Sequence, residues 1–416
     1  MFLLYQIVLS ILLIFSPIII LFRLLKDKED KKRFIEKFSI TSKKRSRGKL
    51  IWFHGASVGE ILSIIPLIKY YEKKKSVDQI LITSSTLSSA KIIKRFKFKK
   101  TVHQFYPIDH YYFTNKFLNY WRPSLAIFIE SEIWPCMFNF IEKNKIPLVL
   151  LNARLTKKTF NRWMRVKYFT KTIFNKISIA YPQNVETNHY LKKIKTNGVK
   201  IIGNLKFTEN DEDKQKNIDK YIKFKFKKKK VWIASSTHGI EEVFCAKAHL
   251  ELKKKIKNLI TIIIPRHVHR SKVIVSNLKK LNLKVVTHSS RNNNLTNTDI
   301  YIVDTFGETK KFHKIGSSVF LGGSIIKRGG QNPLEAARYG ARILHGPNID
   351  NFKDVYKLLK TLRVSKKITT SEELANLITF KKNKKIGIKI KKIGAIILKK
   401  TIKELDNLIN DKLKKT

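Results

Sequence analysis

Glu60 closes the segment His54-Gly55-Ala56-Ser57-Val58-Gly59-Glu60, which ends one apolar run and opens a helical one. Small residues there let a ligand approach the backbone closely. A carboxylate at a helix start is held in its charged form by the helix dipole. Facing a hydroxyl within hydrogen-bonding reach, it can take that hydroxyl's proton. The structural alternative is that Glu60 only caps the helix. Glu130-Ser131-Glu132-Ile133-Trp134-Pro135 sets two carboxylates at i and i+2 beside a Trp. Such a pair could orient a sugar or a basic partner, or form a polar loop around a core Trp. Asn152-Ala153-Arg154-Leu155 puts a guanidinium at a strand end, where its planar fork suits carboxylate or phosphate.

The second half of the chain repeats the pattern with anion-binding chemistry. Ser235-Ser236-Thr237-His238, then Gly239 and Glu241-Glu242, reads as a hydroxyl-rich helix start offering free N–H groups to an anion, or equally as a capped helix. Pro265-Arg266-His267 ends another apolar run. Gly322-Gly323-Ser324 and the block from Arg328 to Glu335 combine paired glycines, an Arg and a helix whose first residue is predicted to be Pro333. That combination makes an anion cradle. Glu335 in the first helical turn could accept hydrogen bonds from a ribose diol, by analogy with dinucleotide folds. No glycine cluster is a Walker A sequence, which disfavours an ATPase. No HExxH, EF-hand or Cys/His cluster gives positive support to a metal-dependent mechanism.

These polar clusters need a scaffold that presents them at strand ends. Residues 49–54, 79–83, 124–130 and 147–152 read as buried strands, and 60–74 as an amphipathic helix. After the polar stretch 208–230, a second series follows at 231–234, 259–264, 299–303, 319–321 and 342–344. Short strands alternating with helices imply parallel sheets with crossover helices, whose ligands bind beyond the carboxyl ends of the strands. The predicted class is α/β, with two Rossmann-like domains facing a cleft in the GT-B manner. The expected division is a membrane anchor at 1–25, a first domain at 26–207, a linker at 208–230 and a second domain at 231–416 that carries a basic C-terminal helix.

A chain of 416 residues suits about two domains. Its net charge of +55 has two readings, a polyanionic partner or a Lys-rich composition spread over every surface. The short Lys runs, such as Lys73 to Lys75 and Lys227 to Lys230, are scattered and do not form one stripe. That favours composition, while still suiting an anionic leaflet. Cys136 and Cys245 are the only cysteines and neither sits in a CxxC pair, so a disulfide framework is not expected. Residues 1–22 contain no charge and are long enough to span a bilayer as a helix that Pro17 could kink. Arg23, Lys26, Lys28, Lys31, Lys32 and Arg33 follow, which predicts a single-pass anchor with the bulk of the chain in the cytoplasm.

Taken together, the motifs resemble the Kdo transferases of lipopolysaccharide synthesis (Kdo is 3-deoxy-D-manno-oct-2-ulosonic acid), a glycosyltransferase family. The likeness runs through Ser57 to Glu60, Glu130 to Pro135, Asn152 to Leu155 and Gly203-Asn204-Leu205-Lys206-Phe207. It continues through Ser236 to His238, Pro265 to His267, Asp304-Thr305-Phe306-Gly307-Glu308 and the glycine-rich block ending at Glu335. The resemblance implies CMP-Kdo as donor and a lipid A precursor (lipid IV-A) as acceptor, with anionic inner-membrane lipids as partners. It implies no cofactor, no metal and no nucleic acid. It assigns Glu60 as general base, and Glu130 and Lys206 as stabilisers of the transition state or substrate. It places CMP on Pro265 and Arg266, on Gly307, Glu308 and Thr309, and on Asn332, Pro333, Leu334 and Glu335. Thr309 stands where relatives often carry a hydrophobic residue, and Lys327 where Pro is common. Ser131 and Ile133 replace the more usual Thr and Leu. The competing readings are another inverting GT-B enzyme with a different nucleotide sugar, and a membrane-tethered basic protein that binds nucleic acid.

Overall fold

A computed structural model describes residues 1–208, 224, 226–290 and 295–411. The chain divides into two compact units, Met1–Asn210 with Gly394–Thr416, and Asp211–Ile393. Most of the expected linker, 209–223 and 225, lies outside the described residues.

The first unit is built on six parallel strands: β1 (Leu50–His54), β2 (Gln79–Ser84), β3 (Thr101–Phe105), β4 (Leu125–Ile129), β5 (Leu148–Ala153) and β6 (Ile179–Pro182). Their order is β3-β2-β1-β4-β5-β6. The central strands read LIWFH, QILITS, LAIFI and LVLLNA and are buried along their whole length. A parallel sheet covered by helices on both faces demands such continuous apolar runs. Trp52, Phe128, Phe138, Phe117 and Trp121 fill the core on one side. The chain leaves β1 for β2 in one direction and returns to β4 on the other side, so the sequence order reverses between β1 and β4. Ligands in open α/β sheets bind at this reversal.

The second unit has seven parallel strands: β7 (Lys230–Thr237), β8 (Leu259–Pro265), β9 (Val285–Thr287), β10 (Ile300–Ile302), β11 (Ser318–Leu321), β12 (Arg342–His345) and β13 (Ser365–Lys367). The order is β13-β12-β11-β7-β8-β10-β9, which reverses between β7 and β11.

Three expectations change. The apolar N-terminus is not one helix. It forms Phe2–Ile14 and Ser16–Leu25, bent by 53°, because Pro17 in the first turn of the second helix has no N–H to continue the first. No single helix among the described residues is long and apolar enough to cross a membrane, and the bent pair passes that test only together. The first helix also carries a polar stripe. Tyr5 donates to Asp109 at 2.8 Å and Ser10 meets His110 at 3.2 Å, while Leu3, Ile7, Ile14, Ile18 and Phe22 stay exposed.

The last helix, Lys384–Asp411, does not belong wholly to the second unit. From Gly394 onward it packs with the first. Tyr70 and Tyr71 donate to Asp406 at 2.8 and 3.0 Å. Any side chain at Gly394 would strike the Phe207 carbonyl. The third change concerns helix starts. Residues 235–237 finish β7, and the following helix begins only at Glu241. Pro333 is the N-cap, not the first residue, of a four-residue helix, Leu334–Ala337.

Candidate active site

In the first unit, the predicted base and its neighbours gather where the sheet order reverses. Ser57 caps the helix Val58–Lys73 and its hydroxyl accepts from the Glu60 N–H at 3.3 Å. Glu60 answers in kind: Oε1 accepts from the Ser57 hydroxyl and Oε2 from the Ala56 N–H, each at 2.7 Å. The capping alternative is therefore real, but it does not exhaust the residue. Burial, joined by the charges of Glu132 and Glu130, pushes the Glu60 carboxyl up to about 7 against the pull of those two donors. A carboxylate so tuned matches proton transfer near neutral pH.

Glu130 follows β4 and takes a left-handed backbone, φ 57°, with its side chain buried. Lys206 Nζ lies 2.7 Å from Glu130 Oε1. The turn Leu205–Thr208 that carries this lysine is pinned from β5: Asn152, also at positive φ (54°), accepts the Leu205 N–H at 2.9 Å. Arg154 contributes its backbone N–H to the Glu130 carbonyl at 3.2 Å. The structure thus brings Glu130 and Lys206 into one buried ion pair and puts both carboxylates of the Glu-x-Glu motif within electrostatic reach of Glu60.

Sequence reasoning singled out neither His54, Thr83 nor Tyr106 as site residues. His54 is fully buried at the end of β1. Its Nε2 lies 3.1 Å from Glu132 Oε2 and its Nδ1 2.9 Å from the Thr83 hydroxyl. Its ring stacks on Tyr106 at 3.8 Å. Trp134 Nε1 donates to the same Glu132 oxygen at 2.9 Å. Burial opposes the charge of Glu132, but the His54 bond and charge, then the Trp134 bond, hold its carboxyl below the ordinary value. The signal in the sequence was His54 as the polar end of an apolar strand.

The second unit collects cations and backbone donors where its own sheet reverses, between β7 and β11. A bulge at Ser236, φ 56°, interrupts the pairing of β7 with β8. Pro265 ends β8 and the Arg266 N–H donates to the Thr237 carbonyl at 3.1 Å. His238 and His267 meet edge to face at 5.7 Å. Burial first, and then the neighbouring Arg266 and Arg328, lower both imidazoles, which keeps them neutral at pH 7. The permanent charge there belongs to the two arginines, both exposed.

The expected glycine cradle is already filled. Glu241, wholly buried, accepts from the N–H groups of Gly323 (2.7 Å), Ser324 (3.1 Å) and Ile325 (3.0 Å), and from His238 (3.0 Å). Those three consecutive donors are committed to the protein's own carboxylate. Gly322 is required beneath them, because a Cβ there would strike the Ser236 carbonyl. Gly307 sits at φ 90° and Glu308 caps the short helix Thr309–His313, pairing with Lys311 at 2.5 Å. Asn332 accepts the Leu334 N–H at 3.1 Å. Glu335, half-buried, lies 3.9 Å from His313, an imidazole that burial, then Lys382 and Lys310, lower to about 3. All nine predicted CMP residues are in this unit: Pro265 ends β8 and Arg266 follows it, Gly307 and Glu308 lead into the helix that Thr309 begins, and Asn332 and Pro333 lead into the one that holds Leu334 and Glu335.

Residues 32–209 match a family model described as 3-deoxy-D-manno-octulosonic-acid transferase (kdotransferase). A 3-deoxy-D-manno-octulosonic acid transferase of Rickettsia bellii is 36% identical over 365 residues, covering 87% of this chain and 86% of the relative. That of Haemophilus influenzae is 30% identical, covering 74% and 73%. A probable mitochondrial one of Arabidopsis thaliana is 32% identical, covering 83% and 80%. Among solved structures, the UDP-GlcNAc 2-epimerase of Neisseria meningitidis matches 85% of this chain and all of its own at TM-score 0.52 and 13% identity. The glycotransferase of kitacinnamycin matches 87% of this chain and all of its own at TM-score 0.53 and 8% identity. These two likenesses establish the fold.

Proposed function

We propose, for a chain that belongs to the 3-deoxy-D-manno-octulosonic acid transferase family, that the donor is CMP-Kdo and the acceptor a lipid A precursor, lipid IV-A. The chain is a glycosyltransferase of lipopolysaccharide synthesis. A sugar hydroxyl is a weak nucleophile at neutral pH. Glu60 takes its proton as the oxygen attacks the anomeric carbon of Kdo, while the bond from that carbon to the CMP phosphate oxygen breaks. CMP leaves with the electron pair. The Glu130–Lys206 pair lies beside the base and stabilises the charge that develops during the exchange. In the second unit, Arg266 and Arg328 supply cationic balance for the phosphate. Gly307 to Thr309 and Asn332 to Glu335 form the remaining contacts with CMP.

The observation that carries this reading is Glu60: a carboxylate held by two donors, flanked by two further carboxylates and raised to about 7. Attachment to the cytoplasmic face of the inner membrane through the N-terminal segment is part of the same proposal. The uncharged run, the bent helix pair and the basic residues after it support that attachment. Incubation with CMP-Kdo and a tetra-acylated lipid A precursor, followed by mass spectrometry of the lipid, should show added Kdo and count the units. Calorimetric titration should show binding of CMP in preference to UDP. Preference for UDP would transfer the case to a different nucleotide sugar.

A further inference from the structure

Glu132 is the carboxylate of the Glu-x-Glu motif to which the family resemblance gives no role, yet it is the most elaborately held of the three. A chain of hydrogen bonds runs to it through the core. Trp52 Nε1 donates to the Thr83 hydroxyl at 2.9 Å. Thr83 meets His54 Nδ1 at 2.9 Å, and His54 Nε2 reaches Glu132 Oε2 at 3.1 Å. An ionised carboxylate can only accept, so Nε2 carries a hydrogen. On its other side the ring is held by Thr83 twice, with Nδ1 2.9 Å from the hydroxyl and 3.3 Å from the carbonyl. Trp134 Nε1 adds a second donor to the same oxygen. His54 itself cannot turn, because Tyr106 stacks on its face at 3.8 Å and Phe128 abuts it at 5.1 Å. Both ring donors converge on Oε2, and among the described residues none donates to Oε1.

A plain core position would not need this. A buried histidine has to satisfy both nitrogens, and an apolar residue of similar size would pack against Tyr106 without that demand. What the relay achieves is a carboxylate that stays ionised in a largely buried place and cannot swing away. We propose that His54 and Glu132 are a positioning pair for the base: Glu132, locked by two ring N–H donors, keeps a fixed negative charge beside Glu60. That charge sets the pH at which Glu60 can take the acceptor's proton. The inference rests on the assignment of Glu60 as base.

Glu60 packs against the end of β1, where a Cβ on Gly55, the neighbour of His54, would lie 3.2 Å from the Glu60 Cβ and 3.6 Å from its Oε2. Ser57 and the Ala56 N–H come from its own helix and turn, and Glu130 and Glu132 from the loop after β4. Lys206 is paired with Glu130, and His54 with Glu132. Glu130 has its own lysine, whereas Glu132 is held by the ring N–H groups of His54 and Trp134. Removing its charge should let Glu60 ionise at lower pH.

The test uses the full chain, isotopically labelled at glutamate carboxyl carbons, titrated by NMR, with the Glu60 signal assigned by its loss in Glu60→Gln. In Glu132→Gln the Glu60 midpoint should fall by about half a pH unit or more. The acid limb of kcat/KM for Kdo transfer should move with it, so that on that limb the variant keeps about threefold more of its maximal rate than the parent. If Glu132→Gln does not fold, His54→Leu reports the same effect. With the His54 bond gone, burial opposes the Glu132 charge against Trp134 alone, so Glu132 protonates or turns to solvent, and both lower the Glu60 midpoint. His54→Gln, which keeps an N–H, should restore the parent value. A midpoint unchanged in a folded variant overturns the pair. A midpoint that shifts in a protein showing no Kdo transfer leaves the pair standing and overturns the proposed reaction instead.

Discussion

The ion pair of Glu130 and Lys206 is nearly dry, so its halves are not interchangeable with neutral residues one at a time. Lys206→Met strands a buried carboxylate and should cost about 3–5 kcal/mol of stability, measured by denaturant unfolding. Adding Glu130→Gln should recover much of that loss without recovering activity. A double variant no more stable than the single would show that the pair is not the source. Glu60 differs. Its carboxyl is raised by burial and by neighbouring charge, so the folded protein holds this proton more tightly than the unfolded chain. Its favourable contribution to folding is complete below the unfolded value of about 4.3. That contribution is lost as pH climbs through about 7. Glu60→Gln should therefore lose at least about a hundredfold in turnover. Its melting temperature relative to the parent should rise between pH 5 and pH 8. A relative decline over that range would mean that Glu60 serves chiefly as an ionised cap. Glu60 and Glu130 stood out by motif, and Lys206 entered through the family resemblance. His54 and Thr83 did neither, because their meaning depends on the register of β1 against β2, which pairs them directly and which no local spacing reveals.

At the scale of elements, the strands the sequence showed and those it hid separate cleanly. β3, β6, β9 and β13 escaped the reading, and all four are outermost in their sheets. An edge strand has one neighbour and more solvent, so TVHQF or SKK can be short and polar where central strands must be continuously apolar. Missing β3 also hid Tyr106, which follows it and stacks on His54. Helix starts failed for another reason. The segment ending β7 is rich in hydroxyls and was read as a cap, whereas the residue that organises this corner is Glu241, five positions beyond Ser236 and reaching to the loop after β11. Glu241→Gln replaces an all-accepting carboxylate with a group that must also donate, into a ring of four donors. CMP affinity by calorimetry should fall about thirtyfold if two of those N–H groups lose their partner, taking about 1 kcal/mol for each. Unchanged affinity would show that the loop keeps its shape without this carboxylate.

For the whole molecule, length and the alternation of strands and helices pointed to two α/β units but not to the path of the chain. The last helix reads as a uniform basic segment, yet its start packs with the second unit and its remainder with the first, through Asp406 and the bare backbone at Gly394. The charge of +55 belongs to the same scale. If the N-terminal helices enter lipid, binding to anionic vesicles has two parts, one screened by salt and one not. Flotation in about 1 M salt, where the screening length is roughly 3 Å, should leave the full chain bound and release a variant lacking residues 2–25. Release of both would assign attachment to charge alone.

Glu130, Asn152 and Ser236 share a backbone state that glycine occupies freely and side chains resist, and each stands just past or near the end of a strand. A left-handed residue with a Cβ costs about 1–2 kcal/mol. Glycine at such a position would relieve that cost, so each side chain there forgoes stability that the fold allows. Ser236 offers the plainest trial, since it belongs to no buried ion pair. Ser236→Gly should unfold about 1 kcal/mol later than the parent and transfer sugar more slowly. A thermostability screen blind to activity would gather its first gains at such corners and lose the enzyme there.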